Sequence, residues 1–348
     1  MGRVSEAADC LKEIGERYNF DRDSKLYADY LSKYGEVLID LNRVEEAKCI
    51  IEEAIRIYEQ KYLYVEAAKV YLLLCGIPWN NFQYEQCLDI LEQGIEIYNR
   101  SLNRDYAFEM DLLYKRSIFT SSLDRIEEGI KATEEALELS EETKIYYRTD
   151  ELYKNMAVFN ALLGRYDRFD DYLEKAEKFA EAIENEIVLS SIELVRAKYD
   201  NDNGNPKLSL EHLDKALSLA NPMVLPLIYT ELSKAYFLLE DYGKAMEYIG
   251  MIRYPEYIPS KYDYAYIWSA KTTEGLCRLR MGRKQEALAA VRKGIERLEV
   301  IGASRLLSEA YKAASEIYSE HDDYEEAYAA LKKSTEIYEK VKATSLYY

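Results

Sequence analysis

Chemistry in this chain would have to come from few residues. There are two histidines, His212 and His321, and neither stands in a His, Cys and Asp spacing that holds a metal ion. Cys277 has no histidine nearby in the sequence to take its proton, so it makes a poor nucleophile. No G-x-S-x-G elbow, G-x-x-x-x-G-K-[ST] phosphate cradle or G-x-G-x-x-G turn occurs. The run Asp200-Asn201-Asp202-Asn203-Gly204-Asn205-Pro206 has the residue types of a calcium loop but lacks the downstream bidentate glutamate, and a polar turn explains it better. The acidic pairs Glu45-Glu46, Glu127-Glu128 and Glu325-Glu326 recur at one phase of a repeat, a helix start, where carboxylates favour the positive end of the helix dipole. Paired catalytic acids would have no reason to keep that phase. No enzyme, cofactor or metal is expected from these residues.

The elements that carry them repeat. Nine stretches share a small or polar turn, a charged pair, a small residue and then an apolar helix face. Aligned on the small position they read Ala7, Ala47, Cys87, Gly129, Phe169, Ser209, Ala245, Ala287 and Ala327, at spacings of 40, 40, 42, 40, 40, 36, 42 and 40 residues. A fixed period of this size predicts an all-α solenoid of helical hairpins, each unable to bury its apolar face without a neighbour. Residues 28 to 61 show one unit. Leu31, Tyr34, Gly35 and Leu38 share one helix face, a break follows at residues 40–43, and Ala47, Ile50, Ile51, Ala54 and Ile57 share a second. Gly35 and Ala47 are small where the two helices must cross closely.

In type, Leu31, Tyr34, Gly35, Leu38, Ala47, Ile51 and Ala54 match the tetratricopeptide pattern, and the chain resembles that family. Tyr229, Leu232, Ser233, Tyr236, Ala245, Ile249 and Ile252 match again, as do Tyr311, Ser315, Tyr318, Ala327 and Leu331. The period is longer than the family's usual one, as in its members from bacterial regulators. Arg116 and Glu193 stand where first helices should be apolar, and Gly76-Ile77-Pro78-Trp79-Asn80-Asn81 is an irregular insertion. The terminal proline of the motif is mostly missing, so Asn, Asp and Gly are expected to end the helices. The resemblance implies a right-handed superhelix of antiparallel helix pairs. It would form a single array over residues 2–341, of about eight hairpins with a half-repeat at the N-terminus, and a C-terminal tail at 342–348.

The resemblance also implies a concave groove lined by the first helix of each pair. Carried onto this chain, the family's groove positions include Tyr114 and Ile118, then Lys154 and Val158, then Leu194 and Lys198. Thr230, Lys234 and Phe237 follow, and then Leu276 and Leu279. Lys154, Lys198 and Lys234 would lie along adjacent units and could meet a peptide carboxylate, with Asn155 adding an amide to the peptide backbone. The competing structural reading has the three lysines paired with neighbouring acids. The expected function is a non-enzymatic scaffold that holds a protein segment or peptide in the groove. The alternative is a sensory module of a bacterial transcription regulator or signalling protein, acting on an output domain. A hydrolase or phosphatase built on helical repeats would need a constellation that is not visible.

A net charge of −18 with no dense basic run excludes nucleic acid and anionic membrane surfaces as expected partners. No apolar run approaches the roughly 18 residues of a spanning helix. The start, Met1 to Glu6, lacks a signal-like apolar region, and Glu6 breaks the myristoylation pattern. Five scattered cysteines fit reduced, mostly buried thiols in the cytoplasm. The 34 tyrosines cluster at helix ends, as at Tyr58, Tyr98, Tyr248, Tyr318 and Tyr338, where a ring can be buried between hairpins and its hydroxyl left wet. Apolar Leu346, Tyr347 and Tyr348 finish the chain where a polar cap would be expected. The chain is therefore expected to be a segment, or to pair through uncapped ends, for example as a homodimer.

Overall fold

The computed structural model describes residues 2–256, 258 and 260–346, and side chains for all of these but 2, 3 and 342–346. Among the described residues there is no strand. The chain forms two compact units, Met1–Leu123 with Glu128–Arg148, and Asp124–Glu127 with Thr149–Tyr348. In the first unit, α1 (Gly2–Arg17) precedes the pair α2 (Lys25–Asp40) and α3 (Val44–Gln60). Next come α4 (Tyr64–Leu74) with the short α5 (Gly76–Trp79) against α6 (Tyr84–Tyr98), then α7 (Tyr106–Ser122) and most of α8 (Ile126–Thr143). The second unit holds α9 (Thr149–Leu162) with α10 (Phe169–Ala182), α11 (Glu186–Asp202) with α12 (Pro206–Leu219), and α13 (Leu225–Leu238) with α14 (Tyr242–Met251). It ends with α15 (Lys261–Arg280) on α16 (Lys284–Glu299), and α17 (Arg305–Ser319) on α18 (Tyr324–Leu346).

The period read from the sequence reappears in the backbone. Each pair turns through one left-handed residue: Asn42, Phe82, Asp124, Gly164, Gly204, Glu240, Gly282 and Asp322, with φ between 56° and 76°. Each lies five positions before its small residue, as Asn42 does before Ala47 and Asp322 before Ala327. The hydrogen bonds are those of a Schellman cap: Asn42 N donates to Ile39 O and Arg43 N to Leu38 O, and Asp322 N donates to Ser319 O and Asp323 N to Tyr318 O. Asn, Asp and Gly hold six of these eight positions, as expected; Phe82 and Glu240 take the left-handed strain instead. Helix starts are fixed by Ser24, Asp105, Asn185, Asp241, Ser260 and Ser304, whose side chains accept from the backbone N–H three residues on.

Close crossing explains the small residues. A Cβ on Gly35 would collide with Ile51, and one on Gly129 would sit 3.1 Å from the Ser117 carbonyl oxygen. From Ala47 to Ala327 every aligned position is buried; in α1 burial falls on Ala8 rather than Ala7. The tyrosines behave as packing residues with bonded rather than wet hydroxyls. Tyr58 is buried and donates to Asp29 (2.6 Å), and Tyr98 donates to the Asp105 carbonyl (3.0 Å). Others stay exposed, among them Tyr62, Tyr328 and Tyr338.

The sequence misfits resolve into pairs. Arg116 of α7 binds Glu92 of α6 (2.8 Å from Nε), and Arg196, eighty positions on in α11, binds Glu177 of α10 (2.7 Å). Insertion 76–81 becomes α5, whose Trp79 packs edge-on against Phe119 at 5.0 Å. Residues 200–206 form the cap between α11 and α12, with Asp200 O accepting from Asn205 N and Pro206 opening α12. The expected tail does not begin at 342, because α18 runs on through Leu346. Tyr347 and Tyr348, and the side chain of Leu346, lie outside the described residues. No helix among the described residues is long and apolar enough to cross a membrane. The cysteines are free: Cys75, Cys87 and Cys277 are buried and Cys10 and Cys49 exposed.

Candidate functional site

Within the second unit the first helices of successive pairs, α11, α13, α15 and α17, bring their polar side chains to a common wall. Lys198 on α11 donates to Asp202 one turn on (3.0 Å), and Lys234 on α13 binds the other oxygen of the same carboxylate. The Lys198 amine also lies 5.2 Å from the centre of the Tyr266 ring on α15, although α13 stands between those two helices in the chain. Arg305 and Glu309 of α17 act electrostatically on Asp202 and Lys198. Side chains of α11, α13 and α15 come together at Lys198, as they do where first helices line the inside of a curve.

Electrostatics fit a recessed wall. The Lys198 side chain is 43% exposed. Burial works against its charge, but Glu231, Asp202 and Glu309 outweigh that and hold the amine above the ordinary lysine range. Burial likewise pushes Asp202 up, and Lys198 and Lys234 overturn it, holding the carboxyl below the usual aspartate range. Burial raises Asp263 on α15, against a hydrogen bond from Ser260 and the charge of Lys154. The result is two ammonium groups on one carboxylate, flanked by an aromatic face.

The residues singled out from the sequence divide. Lys198 and Lys234 meet at Asp202, and the charge of Lys154 on α9 acts on Asp263. Asn155 is buried, and its amide nitrogen has no hydrogen-bond partner among the described residues. Val158 is half-buried. Leu194 packs into the core between α11, α12 and α13, and Leu276 into that between α15, α16 and α17, while Leu279 is buried. Phe237 is half-buried against Tyr242, with ring centres 5.8 Å apart. Thr230 corrects the sequence-based wall: it is buried, and its hydroxyl donates to Pro226 O, because α13 is covered all the way round at residues 230–233. In the first unit, Tyr114 carries Arg148 over its ring at 4.7 Å, and Ile118 packs on the core around Leu112 and Phe119.

Sequence reasoning missed Asp202, Tyr266 and Arg305. Asp202 had been absorbed into the polar turn, although its spacing of four from Lys198 is that of a helical ion pair. Tyr266 and Arg305 come into place through curvature, which no local spacing reports. The wall also has a contrasting neighbour. On the opposite face of α11, Arg196 donates to Glu177 and Glu193 (2.7 Å each), and Glu193 lies 2.6 Å from His212 Nδ1. His212 Nε2 is 3.7 Å from Asp200, whose carboxyl burial pushes up. Burial drives the Cys277 thiol up to about 12, which makes it inert as a nucleophile.

No family model matches the chain, and no curated protein does. Solved structures do. Aspartyl phosphate phosphatase F from Bacillus subtilis aligns over 96% of this chain and 89% of its own, at TM-score 0.61 and 14% identity. NprR in complex with its cognate peptide NprX aligns over 88% and 87%, at 0.57 and 13%. A tetratricopeptide repeat protein from Parabacteroides merdae aligns over 82% and 99%, at 0.56 and 15%. The fold is of the tetratricopeptide-repeat type. In such a fold the first helix of each pair lines the groove, which is where α11, α13, α15 and α17 place their charged side chains.

Proposed function

We propose that the chain is a non-enzymatic peptide- or protein-binding scaffold whose binding surface is the inner wall of the second unit. The observation that carries this reading is the sharing of Asp202 by Lys198 and Lys234. Each ammonium keeps further N–H donors after binding the shared carboxylate, so both lysines can take a second anionic acceptor. An extended segment bearing a carboxylate, terminal or side-chain, would complete that pair. Lys154 would lie farther along the path of the same ligand, whereas the buried Asn155 amide would reach it only if its neighbours moved aside. Tyr114 and Ile118 are candidates for contacts within the first unit. The complex of NprR with NprX supports a peptide as the ligand class.

A second reading is the sensory one, in which ligand binding to this wall governs an output domain of a regulator or signalling protein. The description of NprR from B. thuringiensis as a quorum sensor favours it. Free thiols at all five cysteines fit a cytoplasmic setting for either role. The test is a fluorescence-anisotropy screen of short synthetic peptides in two versions, with free and with amidated C-termini, each with and without internal Asp or Glu. Binding should require at least one carboxylate and weaken as salt rises. Equal binding of fully amidated, acid-free peptides would refute the reading.

A further inference from the structure

Three glutamates are buried among the described residues, and one differs from the others in what it touches. Glu193 meets Arg196 (2.7 Å), and Glu274 meets Lys271 and Arg278 (2.6 Å each). Glu231 of α13 is fully buried and touches no cation among the described residues. Its side-chain partner is Asn201 near the end of α11, whose amide donates to Glu231 Oε2 (2.5 Å) and to the Glu231 carbonyl (3.2 Å). Two acceptors on that side fix which end of the Asn201 side chain is nitrogen. Glu231 Oε1 and Asn201 Oδ1 have no hydrogen-bond partner among the described residues. Both are acceptors and cannot satisfy each other, so a buried carboxylate held this way costs stability rather than supplying it.

Its place gives that cost a use. Asn201 adjoins Asp202, and Glu231 lies one turn before Lys234, so the buried pair joins the same two helices as Lys198, Asp202 and Lys234 do. Burial works against the Lys198 charge, and through space Glu231 opposes that more strongly than Asp202, which the amine touches. Lys198 is drawn by one acid inside the protein and by another at the wall's surface. We propose that Glu231 sets the affinity of the wall: its buried charge competes with an anionic ligand for Lys198, weakens the bound state and lets the ligand leave. This rests on the reading of the wall as the site of a carboxylate-bearing segment. Glu231 is a positioning residue, acting through Lys198 without touching the ligand. An acid retained for the fold alone would be paired with a cation, as Glu193 and Glu274 are.

Glu231→Gln in the full chain tests this. The amide keeps the shape, still accepts from Asn201 and offers a donor in place of the unpaired oxygen. By fluorescence anisotropy the variant should bind a carboxylate-bearing peptide at least about threefold more tightly than wild type, chiefly through slower dissociation. By circular dichroism it should melt no lower than wild type. The Lys198 amine, followed by NMR titration, should lose its proton at a lower pH in the variant, because one of the acids that hold its charge is gone. In a Lys198→Met background the same change should alter affinity by less than about 1.5-fold, which separates action through Lys198 from a general loss of negative charge. Binding no tighter than that of a competent wild type, a gain that persists without Lys198, an unmoved Lys198 titration, or a lower melting temperature would each overturn the inference and leave the scaffold reading standing. If neither protein binds any carboxylate-bearing peptide, the scaffold reading fails and takes the inference with it.

Discussion

Two charged groups on α11 lie about half a helix circumference apart, and they are built on opposite principles. On one face Arg196 is shared between Glu177 and Glu193, and Glu193 holds His212; the Glu193 side chain is only 8% exposed. Acids and bases there close on one another and tie α10, α11 and α12 together. On the other face Lys198 and Lys234 have one carboxylate between them, at side-chain exposures of 43% and 33%. A buried network must be satisfied from within, because desolvated charges without partners are costly. A recessed wall open to water can leave N–H donors to solvent until a ligand takes them. The difference separates charge used to hold a fold from charge left for a ligand, and it sets the order of the effects that substitutions should have.

The largest effect should follow Glu193→Ala. It leaves Arg196 with one acid and removes the near partner of His212, in a site with little water to take over. Loss of one member of such a network costs about 3 kcal/mol. Thermal unfolding followed by circular dichroism should show a drop of several degrees. Affinity for an acidic peptide, measured well below the transition, should stay within about twofold of wild type, which corresponds to about 0.4 kcal/mol. A variant with normal melting and lost binding would place the ligand at the wrong face of α11.

The sequence displayed the frame of this comparison but not its contents. The small-residue series located every hairpin, because close crossing leaves no choice of size at Ala47, Ser209 or Ala287. It also located the turns, since a left-handed residue five positions earlier falls on Asn, Asp or Gly in six of eight cases. Phe82 and Glu240 escape that rule because the cap's hydrogen bonds can carry the strain of a side chain. Arg116 and Glu193 looked like defects in the apolar pattern, and both proved to be members of ion pairs reaching another helix. At the candidate site, Lys198 and Lys234 were legible from helix phase. Thr230 was misplaced because α13 is covered on every side at residues 230–233, which helix phase alone does not report. Asp202 was hidden by its place at the helix end, and Tyr266 and Arg305 by the long-range curvature that carries them there.

Charge reversal at both lysines, Lys198→Glu with Lys234→Glu, should give the next largest effect, and on binding alone. The wall would lose both ammonium groups and become strongly negative, and affinity for a carboxylate-bearing peptide should fall at least about tenfold, or 1.4 kcal/mol. Stability should move little, since partly exposed pairs contribute about 1 kcal/mol or less each. Isothermal titration beside a melting curve reads both quantities. Unchanged affinity would remove the inner wall as the ligand site.

The smallest effect should come from Asp202→Asn, and pH makes it specific. Asp202 has a folded-state carboxyl held below its ordinary value of about 3.9, so the ion pairs stabilise the fold fully above that value. As pH falls through the folded-state value the carboxylate is protonated and the contribution disappears. Wild type should therefore melt above the Asn variant near neutral pH, by about 2 °C or less, and the gap should close in acid below pH about 4. Near neutral pH the same variant should bind acidic peptides more tightly, since both lysines are then released to the ligand. A melting gap that persists in acid would mean that Asp202 acts through packing or hydrogen bonds rather than charge. Tighter binding without a gap would show that its charge only shields the lysines, which sharpens the contrast with the closed network on the far side of α11.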